Sequence, residues 1–401
     1  MYRKRNKNQN TANRLDRLIL TKLKYVKSKI VFFFSILVFM ACVEPFDLEV
    51  ITTETILIID GAIDDSSNDQ YITVKKFIPS STGNVRYASE ADAKVSIIKD
   101  GKEQIDCFYR NNGYYYLPLG FKALVGSKYK LKIVLANGNV YESSEEVMRS
   151  TPQITGYTVK FDPKGIKLGE NSIPAHLIYL DTKDPIEPGD NFMWSWKLYE
   201  KQVVCKTCYG GIFLTSPAPL GKCSPVTALA EAGVEYDYLC QGNCWEIYYS
   251  QDLNVMSDAF SQGKEIKNRL VASIPFYQEN GFLIEIKQQT VTPSAFQYLK
   301  ILGNQSQNNG TLVDAPPAAL IGNIRNINDS KETVGGYFMV GNSKIKRIWV
   351  DRLDAVGSKQ YYMLGRKENY EPASGDGSRP PFAPCVISNT RTPLKPEGWP
   401  L

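Results

Sequence analysis

The chain has 401 residues, 47 Lys+Arg against 42 Asp+Glu, and a formal net charge of +5. That basic excess is local: residues 3–29 hold ten Lys and Arg against Asp16 alone, a local charge of +9 that leaves −4 for the chain from residue 42 onward. A mildly acidic body offers no electrostatic footprint to a phosphate backbone, so nucleic acid is excluded as a partner.

The basic leader runs into twelve apolar or small residues, Ile30 to Ala41, which stop at Cys42. Twelve residues fall short of the ~20 a spanning helix needs, but they fit the apolar core of an export signal, about 7–15 residues. Basic residues before such a core hold the leader on the cytoplasmic side. The expectation is a signal peptide over 1–41, cleavage before Cys42, and a diacylglyceryl group on the Cys42 thiol. A lipid tether over 42–55 then attaches the chain to a membrane, and no stretch after Cys42 has transmembrane length. No cofactor besides the lipid, and no metal, is expected.

Strand signals follow at short intervals. Ile56-Leu57-Ile58-Ile59 is a continuous apolar run that reads as a buried strand. The acidic stretch Asp64 to Asp69 lacks the spacing of a calcium loop and reads as a solvated hairpin connection. Tyr71–Val74, Val95–Ile98, Tyr114–Leu117 and Tyr129–Leu135 continue the series, with hairpin signals at Asp100-Gly101 and Asn137-Gly138. The predicted architecture for 56–150 is a β-sandwich. Its runs "Ala93-Lys94-Val95-Ser96-Ile97", "Gly113-Tyr114-Tyr115-Tyr116-Leu117" and "Gly126-Ser127-Lys128-Tyr129-Lys130-Leu131" resemble prealbumin-like or carboxypeptidase-regulatory-like sandwiches, which serve as binding and spacer modules. Tyr114 and Tyr116 share one strand face and, with Trp245, are candidate ligand-facing aromatics.

A boundary is predicted at Ser150-Thr151-Pro152, followed by a second β-rich domain over 151–370 and an irregular tail over 371–401. Phe192, Trp194, Trp196 and Leu198 recur with period two and read as a core stripe. His176, the chain's single histidine, lies in an apolar strand without an adjacent nucleophile motif and reads as a core residue. Thr292-Pro293 is a helix start, with apolar Ala295, Phe296, Leu299 and Leu302 on one stripe of a helix near 293–307.

The densest chemistry is the insertion 205–244, with Cys205, Cys208, Cys223, Cys240 and Cys244. The two close pairs resemble a four-cysteine zinc site, but the second has three intervening residues, and an exported chain favours disulfides. Seven cysteines follow Cys42. Cys107, remote in a strand, is the expected unpaired thiol, and Cys385 is expected to pair back to the cluster. Six cysteines allow 15 connectivities.

The order of these features, with "Asp314-Ala315-Pro316-Pro317-Ala318", "Gly322-Asn323-Ile324", "Gly335-Gly336-Tyr337-Phe338" and a closing "Lys395-Pro396-Glu397-Gly398-Trp399", resembles the Bacteroidota lipoproteins grouped as the domain of unknown function 4249 (DUF4249) family over nearly all of residues 42–401. The resemblance implies a non-catalytic binding or accessory role at the outer membrane, with a TonB-dependent receptor as partner and a glycan or peptide as ligand. It supplies no catalytic residues. The alternatives are a secreted glycan-active hydrolase, which would need two carboxylates converging in an aromatic cleft, and a structural or adhesive surface protein.

Overall fold

Alternation decides the first layer of structure. The strand Lys128–Val134 buries Tyr129, Leu131 and Ile133 and turns Lys130 and Lys132 outward, as a period of two requires. In the strand β1 (Ile56–Asp64), Leu57 and Ile59 enter the core while Ile56 and Ile58 are only half-buried. The apolar run is therefore one core face plus one half-covered face, and not a strand buried throughout. The computed structural model describes residues 55–66, 69–78, 86–215, 221–259, 261–306, 320, 322–357, 359, 362–375 and 377–400. The leader, Cys42, nearly all of the tether and the Pro316-Pro317 segment lie outside them.

The protein is mainly β. In a seven-stranded sheet, β1 pairs with β2 (Tyr71–Ile78), and Arg86–Ser89, Phe108–Asn111 and Tyr114–Tyr116 extend it. A six-stranded sheet built around Lys94–Lys99, Lys128–Val134 and Val140–Ser143 shares one apolar core with it. The Asp100-Gly101 hairpin forms with both residues at positive φ, 52° and 68°, the backbone that a two-residue turn between twisted strands demands. Asn112-Gly113 (47° and 79°) makes a second turn of this kind.

Residues 56–150 do not complete this pair of sheets. Ile324–Asn326 pairs with Val140–Ser143, and Val334–Gly335 and Phe338–Gly341 lie parallel to β1. Ile324, Val334, Phe338 and Val340 thus belong to the same core as Leu57 and Ile133. Two glycines permit the crossing. Gly336 has φ +94°, and a Cβ there would meet the Ile59 carbonyl; a Cβ on Gly322 would meet the Gly336 carbonyl.

A second apolar core lies between the three-stranded sheet Ile154–Leu168, Asn171–Lys183, Glu265–Pro275 and a six-stranded sheet centred on Asn191–Lys201 and Phe282–Val291. The Phe192–Leu198 stripe fills it, except that Trp196 is only partly buried. The Trp194 indole N–H donates to Gln288 Oε1 at 2.9 Å. The same strand face ends in Glu200, fully buried and ion-paired with the equally buried Arg352 at 2.5 Å. Arg352 sits at φ 64°, a conformation costing about 1 kcal/mol or more. Its two terminal nitrogens both reach Glu200, which over-determines the position.

Two helices occur among the described residues, the short α1 (Thr227–Glu231) and α2 (Pro293–Ser306). Thr292 caps α2 through its hydroxyl, which accepts the Ala295 N–H at 3.3 Å, and Ala295, Phe296 and Leu299 are buried. What attaches α2 to the first sandwich is Glu146. This carboxylate is 1% exposed and has no cationic partner among the described residues. It accepts hydrogen bonds from Thr292 (2.5 Å), Tyr337 (2.9 Å), Asn323 (3.1 Å), Ser144 (3.3 Å) and Ser294 (3.4 Å). A buried carboxylate persists without a counter-ion when donors and a helix N-terminus replace its water. Glu146→Ala orphans two buried donors at once, the Thr292 and Tyr337 hydroxyls, each costing about 1–3 kcal/mol. We expect it to lower unfolding free energy in urea by about 3 kcal/mol or more; a loss under about 1 kcal/mol would show that the network carries little.

Candidate functional site

The cysteine-rich insertion is a stapled knob. Cys205–Cys240, Cys208–Cys223 and Cys244–Cys385 are disulfides. The sulfurs of Cys205, Cys240 and Cys244 lie within 4.8 Å of one another, yet each is committed to a bridge and offers no thiolate. Val204–Tyr209 and Glu235–Leu239 run antiparallel, which brings Cys205 beside Cys240. The bridge at Cys385 carries the tail back to the knob, where the Ala383 N–H donates to the Leu239 carbonyl and the Gln241 N–H donates to that of Ala383. Trp399 then packs edge-on against Trp245 and Trp349, at 5.7 and 4.8 Å. Trp245 is 2% exposed: it is a core residue of the tail clamp, not a ligand-facing aromatic. Among the described residues Cys107 is the free thiol, its pKa pushed up to about 12 by burial and, after that, by the neighbouring Asp106.

His176 is sealed. Its ring packs on Phe161 and Phe282, and Nε2 lies 2.9 Å from Asp354. Burial holds its pKa below the usual value, with Asp354 opposing. Among the described residues, no hydroxyl or thiol bonds to the ring.

Tyr115 is buried, while Tyr114 and Tyr116 lie on the opposite face beside Tyr71. Each already carries a protein cation: Arg110 lies 3.9 Å from the Tyr116 ring centre and Lys75 lies 4.6 Å from that of Tyr114. The shelf is therefore a cation–aromatic stack internal to the protein.

That shelf leads into a cleft of ≈ 490 Å³ between β1, β2 and α2, within the size range of small-molecule sites. One wall carries Asp60, Asp64 and Tyr71; the other carries Tyr298, Leu299 and Leu302. Tyr298 and Tyr337 have ring centres 4.8 Å apart at the back. The acidic loop does not gather its carboxylates around one point. Asp64 pairs with Lys287 at 2.6 Å, Asp65 bonds Asn342 and Ser343, and Asp69 pairs with Arg110 at 3.2 Å. Burial alone would raise the Asp64 pKa, but the Lys287 ammonium outweighs it and holds the carboxyl below its ordinary value. Among the described residues Asp60 has no such partner. Loss of water to the cleft walls raises its pKa against the pull of the Tyr337 N–H and of Lys75. Burial, then the charge of Asp60, pushes the Tyr298 hydroxyl up to about 12. A wider hollow of ≈ 600 Å³ beyond α2 backs onto the Glu146 network, and its acid Glu142 is ion-paired with Lys130.

Asp60, Lys287 and Tyr298 carry no motif in the sequence. Tyr337 does, within Gly335-Gly336-Tyr337-Phe338, and it is the residue that links the cleft to Glu146. Neither Tyr114 nor Tyr116 lines the cleft.

These features define a two-core β protein with a disulfide-stapled knob and an aromatic, acidic cleft beside one helix. Residues 43–347 match the family described as Domain of unknown function (DUF4249), and the chain belongs to that family. The match ends before the Trp349–Trp399 clamp. No curated protein matches the chain.

Two solution tests follow from these environments. With its folded pKa below the unfolded value of 6.5, His176 takes up protons more readily when unfolded. Its contribution is complete above pH 6.5 and is lost as pH falls below it. The urea midpoint should fall over the first pH unit below 6.5, and His176→Gln should flatten that fall. Cys107 is half-buried, and its raised pKa should make it react slowly with iodoacetamide in the native protein and fully in urea, by mass spectrometry; rapid native labelling would contradict the raised pKa.

Proposed function

We propose that the protein is an outer-membrane-anchored lipoprotein, tethered by a lipid on Cys42, that acts as a non-catalytic binding or accessory component of a TonB-dependent transporter. The anchoring reading is supported by the basic leader, the twelve-residue apolar core and the cysteine at its end. Two acyl signals hold a protein on a membrane where one does not, and a processed lipoprotein amino terminus supplies more than one chain. The binding reading is carried by one observation, the cleft beside α2, in which rings, a carboxylate and an apolar wall converge away from the protein's only histidine.

A hydrolase reading has a specific geometric test. Asp60 and Asp64 both line the cleft, one with a raised and one with a lowered pKa, a pattern that acid–base pairs use. They are four residues apart on one extended strand, however, which separates their backbones by about 13 Å. Glycosidase carboxylates stand about 5–9.5 Å apart. Asp64 is also tied to Lys287, which turns it from a partner of Asp60 into a wall residue.

Cells fed labelled fatty acid should incorporate it into the wild-type chain and not into Cys42→Ala. Cross-linking of intact envelopes should then capture a TonB-dependent receptor in the wild type only. An unlabelled wild-type chain, or labelling that survives the substitution, sinks the anchoring; an intact anchor with no receptor captured sinks the accessory role.

A further inference from the structure

We propose that the cleft beside α2 takes a protonated amine carried on an apolar stem, with Asp60 as its counter-ion and the rings of Tyr71 and Tyr298 against it. This rests on reading the cleft as the ligand site and names the chemistry it selects.

The charge count comes first. Three carboxylates line the cleft, and two are neutralised from within: Asp64 by Lys287 and Asp69 by Arg110. Asp60 forms no ion pair among the described residues. One of its oxygens accepts the Tyr337 N–H at 3.2 Å, and the other has no protein partner there. The nearest cation that acts on it, Lys75, lies against the Tyr114 ring and does not line the cleft. Asp60 is an exposed residue on the cleft wall, and a carboxylate without a counter-ion beside aromatic rings is an unfilled cation position.

The walls set the rest of the ligand. Leu299, Leu302 and Met339 suit an alkyl stem. The adjoining shelf shows the same preference carried out by the protein itself, with Arg110 on Tyr116 and Lys75 on Tyr114. A neutral sugar, by contrast, needs several directional hydrogen-bonding groups, and most of those in the cleft are spent inside the fold, the Tyr71 and Tyr298 hydroxyls excepted. Gln70 donates to the carbonyls of Asp64 and Phe121, Thr73 donates to that of Asp60, and the Tyr337 hydroxyl donates to Glu146. A lysine-type side chain or an alkyl diamine fits what remains.

The test is calorimetric titration of the full chain with 1,5-diaminopentane, with 1,5-pentanediol as the uncharged isostere and maltotriose as the sugar probe. The diamine should bind and the other two should not. Asp60→Asn, which keeps the acceptor for the Tyr337 N–H, should weaken diamine binding at least about tenfold, the scale of one charge-assisted contact. If that variant fails to fold, Leu302→Lys on the half-open face of α2 decides: its own ammonium should fill the site and abolish binding. Equal binding of diol and diamine, preference for the sugar, no diamine binding, or a full-strength response in the folded variants each overturns the proposal. Failure of receptor capture leaves this titration unaffected, and a failed titration with the receptor captured removes only the amine, so the two readings fail separately.

Discussion

The structure turns on a single carboxylate with no counter-charge among the described residues. Glu146 sits where the first sandwich, the start of α2 and the returning strand near Tyr337 meet, and its hydrogen bonds reach all three. An ion pair there would satisfy two partners, whereas an unpaired carboxylate accepts from five and so holds three chain segments in one geometry. The cleft follows from this. Its α2 wall carries Tyr298, and its back is Tyr337, so both stand where the Glu146 network puts them.

Much of the fold was legible because it is local. Strand alternation at Lys128–Val134, the Asp100-Gly101 turn and the Thr292-Pro293 helix start depend on neighbours within a few residues. The motif glycines were visible as a pattern, but their cause was not. Gly322 and Gly336 are required because two backbones pass closer than a side chain allows, and those backbones belong to segments far apart in sequence. Glu200 carries no signal of its own in the sequence, since Arg352, which makes it a core residue, lies 152 positions away.

The site was the least legible part. Tyr114 and Tyr116 stood out by their run of aromatics, yet their rings are held by Arg110, Lys75 and Tyr71. Asp60 looked ordinary, because what singles it out is that neighbouring acids have cationic partners and, among the described residues, it has none. Cysteine content announced a stapled region, but the pairing of Cys205 with Cys240 depends on the register of two strands. Trp245 was conspicuous beside Cys244; the indole of Trp399, from the far end of the chain, covers it.

The strands that flank β1 have a temporal meaning. Because Val334–Gly335 and Phe338–Gly341 lie directly against β1, the first sheet to leave a ribosome or a translocation channel is among the last to be closed. Until residue 341 emerges, β1 presents an unpaired edge and an incomplete apolar core, the features that make partly made chains associate with one another. The order of synthesis and the order of closure thus run in opposite directions.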